Sequence, residues 1–268
     1  MGNESSKSDT RGRIFTISGP QEGLQMIPTP ERDLHGMPIC HRQFNINRTA
    51  LLAAFQNMAS YLRNKNANVI GIAVGGAVNT IHLQNREVTQ DVDFFGGNEQ
   101  SRLLKDASKY AQQESKIQLG ANWLTNATTL FIPLELQTRL IQAAIQQNVA
   151  VFREEGLTVF AAPWDYALCG KIDRMSKSEE RPYDCMDSVG YLHEYALSNG
   201  RKPVEAKEIE EWGKIYGKMI TTDALKKIKS LYREVYSQDG ISFRRSLWAL
   251  LQLWKAWCNR CYGIRLTI

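Results

Sequence analysis

The chain has 268 residues, of which 43% are hydrophobic and 23% are charged, and its net charge is +5. This composition is that of a globular protein with a sizeable core, organised as one domain with an appendage or as two small domains. The five cysteines lack the spacing of a disulfide framework, the start lacks the apolar core of a secretory signal, and no apolar run is long enough to span a bilayer. The sequence therefore predicts a cytoplasmic protein, whose mild positive charge permits an anionic partner without requiring one.

Residues 1–45 are rich in Ser, Gly, Pro and charged residues and show little hydrophobic periodicity. We predict that they form a flexible tail or an arm lying on the domain that follows. The first seven residues match the N-myristoylation pattern, with Gly2 as the acceptor and Ser6 in the required place. The alternative is a polar start that matches a short pattern by chance. A myristoyl chain on Gly2 would give only weak, peripheral membrane association.

The most informative segment is 69–95. It has the pattern of a buried strand, a turn at Gly75 and Gly76, a short helix and a second strand that carries Asp91 and Asp93. Side chains two positions apart on a strand point the same way, so the two carboxylates are expected to lie side by side. Close carboxylates repel unless a cation lies between them, and Mg²⁺ binds through one or two carboxylates together with substrate phosphates. The glycine turn adds backbone that a phosphate can approach, so the segment predicts a site for a metal-bound nucleoside triphosphate.

The alternative for this segment is an ordinary tight turn followed by two aspartates spaced by chance. The residues around the two acids are Val92, Phe94 and Phe95. A charged residue in such an apolar strand is costly without a partner or an ion, and this context favours the site.

The other elements follow from hydrophobic periodicity and from turn residues. We predict that Thr49 caps a helix before the first strand. Downstream we predict a β-hairpin turned at Glu155 and Gly156, a helix beginning near residue 181, and helices at 99–115, 133–148, 163–175, 204–219, 222–236 and 242–258. Because strand signals end near residue 161, the expected fold class is α/β (α+β), with a small mixed sheet core at 46–162, a helical C-terminal half at 163–268 and the tail or arm at 1–45.

The last predicted helix, 242–258, is rich in Trp and Leu and apolar around most of its circumference. This pattern is typical of a helix buried in a bundle, and a membrane-surface or partner-binding helix is the alternative. The lone Cys258-x-x-Cys261 pair lacks the further ligands that a zinc site needs.

The residues of the glycine turn and the acidic strand resemble a known family signature. The segment Val-Gly-Gly-Ala at 74–77, with Arg86, Thr89, Asp91 and Asp93, resembles the GG…R-x-T-x-D-x-D signature of nucleotidyltransferases in the DNA polymerase beta superfamily. The closer likeness is to the branch of abortive-infection (type IV toxin–antitoxin) nucleotidyltransferases and their uncharacterised relatives. The likeness covers roughly residues 66–200.

A second motif of that family resembles the segment that follows the predicted hairpin. Lys171 lies on a predicted helix, and Arg181, Asp184 and Asp187 then match an R-x-x-D-x-x-D pattern. The alternative is a set of surface salt bridges at helical spacing, because the three residues are three positions apart.

The resemblance implies an enzyme that uses Mg²⁺ to transfer a nucleoside monophosphate from an NTP to a tRNA-like RNA end, a protein side chain or a small molecule. The catalytic residues that it implies are Asp91, Asp93, Lys171 and Asp184, with Mg²⁺ held by the first two. The nucleotide-binding residues that it implies are Gly75, Gly76, Arg86 and Thr89. The ammonium of Lys171 is expected to point into the cleft between the glycine turn and the paired aspartates.

The sequence also departs from the family pattern. Many members of the superfamily carry a third metal-binding acid on a neighbouring strand, whereas the two strands of the predicted hairpin carry acids only at Glu154 and Glu155, by the turn. Gln84 and Asn85 replace the glycine that commonly precedes the arginine. The alternative function is therefore a nucleotidyltransferase-like module without turnover that senses a nucleotide or binds a protein.

Overall fold

The computed structural model describes residues 25–97 and 100–243. The strands are β1 (Ile46–Asn47), β2 (Val69–Val74), β3 (Val88–Thr89), β4 (Val92–Phe95), β5 (Leu124–Thr125), β6 (Ala150–Glu154), β7 (Leu157–Ala161), β8 (Val204–Glu205) and β9 (Ile241–Ser242). The α-helices are α1 (Arg48–Asn64), α2 (Gly76–Val78), α3 (Ser101–Glu114), α4 (Leu134–Gln147), α5 (Trp164–Ser176), α6 (Asp184–Ser198), α7 (Ala206–Tyr216) and α8 (Thr222–Tyr236). A π-helical turn at Asn79–Leu83 and a 3₁₀-helix at Ala127–Phe131 complete the described elements.

The central sheet is mixed and has five strands in the order β5-β4-β2-β7-β6. Strand β2 pairs parallel with β7 and antiparallel with β4, and β6 and β7 form the predicted hairpin. In the β2–β4 register Val74 lies opposite Asp93. Since the two strands run in opposite directions, the end of β2 meets the start of β4 at one edge of the sheet. The glycine turn, which follows β2, therefore lies next to the paired acids at the start of β4.

Two apolar layers enclose this sheet. Helices α1 and α3 cover one face, where Val92 and Phe94 of β4 join the larger buried cluster. Helix α4 covers the other face, and Phe95 packs there with Leu140 in a second cluster. Because side chains alternate along a strand, Asp93 lies on the same face as Phe95. The acid therefore emerges where the α4-side cluster ends.

The described part of the C-terminal half is helical, as predicted, so the α+β fold class is confirmed. Helix α5 starts directly after β7 and packs against α6, α7 and α8. Its core face buries Trp164, Leu168 and Ile172. After residue 165 the described strands are β8 and β9, with two residues each. Among the described residues, no helix has the length and apolarity required to cross a membrane.

Two helix ends differ from the prediction. Helix α1 is capped by Asn47 and not by Thr49: the Asn47 backbone is extended and its Oδ1 accepts a hydrogen bond of 2.9 Å from the Ala50 amide. Helix α7 is shorter than the predicted 204–219. The first two residues of the predicted helix form β8, which pairs with β9, and Gly217 ends α7 in a left-handed conformation at φ 63°.

The spacing of Trp212, Ile215 and Met219 in the sequence also predicts an apolar stripe on that helix, and the structure contradicts this prediction for two of the three. Ile215 is 61% exposed and Met219 is 46% exposed. The side chains that α7 buries are Ala206 and Ile209 together with Gly213. The candidate acceptor Gly2, almost all of the predicted helix 242–258 and the Cys258–Cys261 pair lie outside the described residues.

Candidate functional site

The turn after β2 requires glycine at both of its positions, for different reasons. Gly75 adopts φ 68°, a conformation that disfavours residues with a side chain, and its carbonyl accepts a hydrogen bond of 2.8 Å from Asn79 Nδ2. At Gly76 a Cβ would overlap the Thr89 side chain, lying 2.9 Å from its Cβ. Close packing of Gly76 against Thr89 therefore joins the turn to the segment that leads into β4.

The paired acids lie beside this turn. Asp91 immediately precedes β4 and Asp93 lies within it, and both side chains are partly buried. Burial and the negative charge of Asp91 together raise the pKa of Asp93 to about 6, although Arg181, Arg174 and Lys171 oppose the shift. Burial also raises the pKa of Asp91, against the charges of Arg181 and Arg86. Within residues 25–97 and 100–243, no ion pair or hydrogen bond holds the Asp93 carboxylate.

A network of buried ions stands next to these acids. The Lys171 ammonium is 2.6 Å from Asp187 Oδ2 and 3.1 Å from Asp184 Oδ1, and Lys171 is only 5% exposed. Arg174 donates two hydrogen bonds to Asp184, at 2.9 and 2.6 Å. Arg86 pairs with Asp187, where its Nε donates at 2.9 Å and its Nη2 also bonds Oδ2. Two carboxylates from α6 thus hold three cations from two segments, α5 and the loop before β3.

The pKa shifts in the network follow from burial and pairing. Burial lowers the pKa of the Lys171 ammonium, and the nearby Asp187 opposes this shift. Burial acts to raise the pKa of Asp184, but hydrogen bonds from Arg174 and the Arg181 amide outweigh it and hold the pKa well below its usual range. The carboxylate of Asp184 therefore stays ionised and keeps its cations in place.

The structure brings the predicted site residues together in two contacting groups. The first group is the glycine turn itself, Gly75 and Gly76, with Thr89 and Arg86 beside it. The second group is the ion network, which contains Lys171 and Asp184. The Arg86–Asp187 ion pair joins the two groups. Lys171 does not point to bulk solvent. Its ammonium is held by α6, and its charge is near enough to Asp93 to oppose the rise in that pKa.

Four residues of this region were not assigned from the sequence. They are Tyr191, Asn79, Arg174 and Tyr183. The hydroxyl of the fully buried Tyr191 accepts a hydrogen bond of 2.6 Å from Asn79 Nδ2 and contacts the Gly75 carbonyl. Arg174 pairs with Asp184, and the Tyr183 ring contacts Arg86. A signal for Tyr191 was present: it lies four residues after Asp187 and so on the same face of α6. Asn79 and Tyr183 had no comparable local pattern.

The donors that could hold a metal ion here are Asp91 and Asp93. Among the described residues there is no group of three or more His, Cys, Asp or Glu side chains arranged to hold one. On the face of Asp93, strand β7, which pairs with the other side of β2, presents Phe160 and is followed by Ala162, both buried. Two carboxylates beside an open glycine turn fit a divalent ion that takes its remaining ligands from water and phosphate oxygens.

One comparison with known proteins identifies a family. A family profile described as "Domain of unknown function (DUF7582)" matches residues 45–239, more than half of the chain. The chain belongs to this family. The matched span contains the glycine turn, both acids and the whole ion network. No curated protein and no solved structure matches the chain.

Proposed function

We propose that the protein is a metal-dependent nucleotidyltransferase that transfers a nucleoside monophosphate from an NTP to an acceptor. The observation that carries the proposal is the β2–β4 register, in which Asp93 lies opposite Val74, the last residue before the glycine turn. This register sets partly buried carboxylates next to backbone that a triphosphate can approach. The resemblance of these residues to the R-x-T-x-D-x-D signature supports the same reaction class.

In the proposed reaction an acceptor hydroxyl oxygen attacks the α-phosphorus of the NTP and releases its proton to water, and pyrophosphate leaves with the electrons of the broken P–O bond. The chemistry that a bound Mg²⁺ would supply is neutralisation of the negative charge on the phosphates. Asp91 and Asp93 would hold the ion, and the backbone around Gly75 and Gly76 would hold the terminal phosphates. Arg86 and Lys171 supply positive charge for the oxygens on which negative charge develops. Asp184 keeps the ammonium of Lys171 oriented.

The acceptor classes are an RNA end, a protein side chain and a small molecule. We place the reaction in the cytoplasm, with weak membrane association wherever Gly2 is myristoylated.

The first test is a thermal-shift titration with each NTP, with and without Mg²⁺. We expect the preferred NTP to raise Tm only when Mg²⁺ is present, and we expect Asp93→Asn to abolish that shift because the ion loses a ligand. Asp106→Asn, at an exposed position of α3, is the matched control and should behave as wild type. A wild-type protein whose Tm responds to no Mg·NTP would contradict the proposal.

The second test follows label from α-³²P-NTP into total cellular RNA and into protein. The competing candidate is a nucleotide-binding module without turnover. Two observations favour this module. Lys171 and Arg86 form ion pairs with carboxylates of α6, and Phe160 and Ala162, which lie on the face of Asp93 at the end of β7, provide no third acid. Mg·NTP binding without label transfer to RNA, protein or small-molecule extract would favour the module.

A further inference from the structure

We propose that Tyr183 is a positioning residue, which holds Arg86 so that one nitrogen of its guanidinium faces the glycine turn and receives a phosphate oxygen of the nucleotide. This inference rests on the proposed function, since it assigns a role within the same nucleotide site.

The geometry of Arg86 leaves one of its nitrogens available. Asp187 accepts hydrogen bonds from Nε and Nη2 and so occupies one edge of the guanidinium. The remaining nitrogen, Nη1, has no hydrogen-bond partner among the described residues. It lies 3.7 Å from the point beside Gly76 where a Cβ would stand. This nitrogen therefore lies at the glycine turn.

The face of the same guanidinium is held by Tyr183. Arg86 Cζ lies 3.5 Å from the centroid of the Tyr183 ring, which is the spacing of a direct cation–π stack. An edge contact with Asp187 alone leaves the guanidinium plane free to tilt, and the ring removes that freedom. The two contacts together fix both the position and the plane of Arg86.

Tyr183 also connects Arg86 to the other charges of the site. It immediately precedes α6, the helix that supplies Asp184 and Asp187, so the ring and the carboxylates are parts of one element. Its hydroxyl accepts a hydrogen bond of 3.2 Å from Arg181 Nη1, and the charge of Arg181 opposes the raised pKa values of both Asp91 and Asp93. The hydroxyl therefore contacts Arg181, whereas the ring contacts Arg86 at 3.5 Å and the more distant Lys171 ammonium at 5.3 Å.

The test measures binding of a fluorescent NTP analogue in Mg²⁺ by the full-length protein. We expect Tyr183→Ala to raise Kd about tenfold, because a partly desolvated cation–π contact stabilises by roughly that factor. Tyr183→Phe keeps the stack and should stay within about twofold of wild type. Tyr183→Leu keeps the bulk without the aromatic face and should resemble Tyr183→Ala, so it replaces that variant should the alanine protein fail to fold.

A double-mutant cycle separates positioning from a general effect on folding. In an Arg86→Lys background, which cannot make both the bidentate pair and the stack, Tyr183→Ala should change Kd less than about twofold. The control is Tyr195→Ala on α6, because the Tyr195 ring packs edge-on against Trp212; this variant should leave Kd unchanged.

The outcomes distinguish the two proposals. Wild-type protein that binds no Mg·NTP overturns the proposed function and this inference with it. Tight wild-type binding with an unchanged Kd for Tyr183→Ala and Tyr183→Leu overturns the inference alone. A tenfold effect of Tyr183→Ala that persists fully in the Arg86→Lys background also overturns it, because Tyr183 would then not act through Arg86.

Discussion

Asp93 is the residue at which the structure and the proposed chemistry meet most directly. Burial and the nearby charge of Asp91 raise its pKa to about 6, so its ionised form is disfavoured in the absence of a bound cation. A structural carboxylate normally has the opposite shift, because it is paired, as Asp184 is with Arg174 and Lys171. An unpaired acid next to a second acid is typical of a site that binds a cation or moves a proton.

The raised pKa of Asp93 makes a prediction about stability and pH. The folded state binds this proton more tightly than the unfolded state, so the contribution of Asp93 to stability falls as pH rises from about 4, its ordinary pKa, to about 6 and stays low above that. Without Mg²⁺, Asp93→Asn should therefore raise the free energy of unfolding at pH 8 by about 1 to 3 kcal/mol. The gain should shrink towards zero at pH 4, where both side chains are neutral.

Urea unfolding of wild type and Asp93→Asn at several pH values checks this expectation. Asp106→Asn controls for general effects of removing a charge. A variant that is less stable than wild type at pH 8 in the absence of metal would show that the Asp93 carboxylate is stabilised in the fold rather than strained.

At the scale of the element, helix α6 contributes most to the candidate site. Asp184, Asp187 and Tyr191 lie at positions i, i+3 and i+7, which places them on one face of the helix. That face meets cations from α5 and from the loop before β3, and it reaches the Gly75 carbonyl. One helix therefore connects the two sequence motifs.

The N-terminus of α1 allows a direct test of a corrected prediction. Asn47→Ala removes the side-chain acceptor of the Ala50 amide and should lower the free energy of unfolding by about 1 kcal/mol. Thr49→Ala alters an exposed side chain inside the helix and should change stability by less than about 0.5 kcal/mol. Chemical denaturation of the two variants measures both values, and the reverse order would restore Thr49 as the cap.

At the scale of the whole molecule, the described part of the N-terminal segment is attached to the core. Ile27 is 1% exposed, and its amide donates a hydrogen bond of 2.8 Å to Asn126 Oδ1. Asn126 Nδ2 in turn donates to the Gln25 carbonyl, and the Gln25 amide bonds Ser101 Oγ. Residues 25–27 thus bridge α3 and the end of β5.

We expect Ile27→Ala to destabilise the protein by about 2 to 5 kcal/mol, because it removes buried methyl groups and leaves a cavity in the main core. Leu34→Ala, in the same segment, is the matched control: Leu34 is fully exposed and its loss should have almost no effect. Thermal unfolding of both variants provides the comparison. Equal, small effects would mean that the segment does not contribute to the folded core.

The sequence by itself determined the elements that depend on neighbouring residues. The hairpin of β6 and β7, the helices α3, α4, α5 and α8, and the change from strands to helices near residue 161 were all predicted, because periodicity and turn residues are local signals. The glycine turn and the two acidic positions were visible for the same reason. Their assignment to a nucleotidyltransferase stays a prediction.

Only the tertiary structure decided which of these residues meet. Arg86 and Asp187 are 101 residues apart in the chain, and Asn79 and Tyr191 are 112 apart, so no local pattern reports either contact. The two-residue strand β5 and the docking of Ile27 were invisible for a related reason: their stability comes from the sheet and core they join, not from their own sequence. The raised pKa of Asp93 is likewise a property of burial beside Asp91, which exists only once the chain has folded.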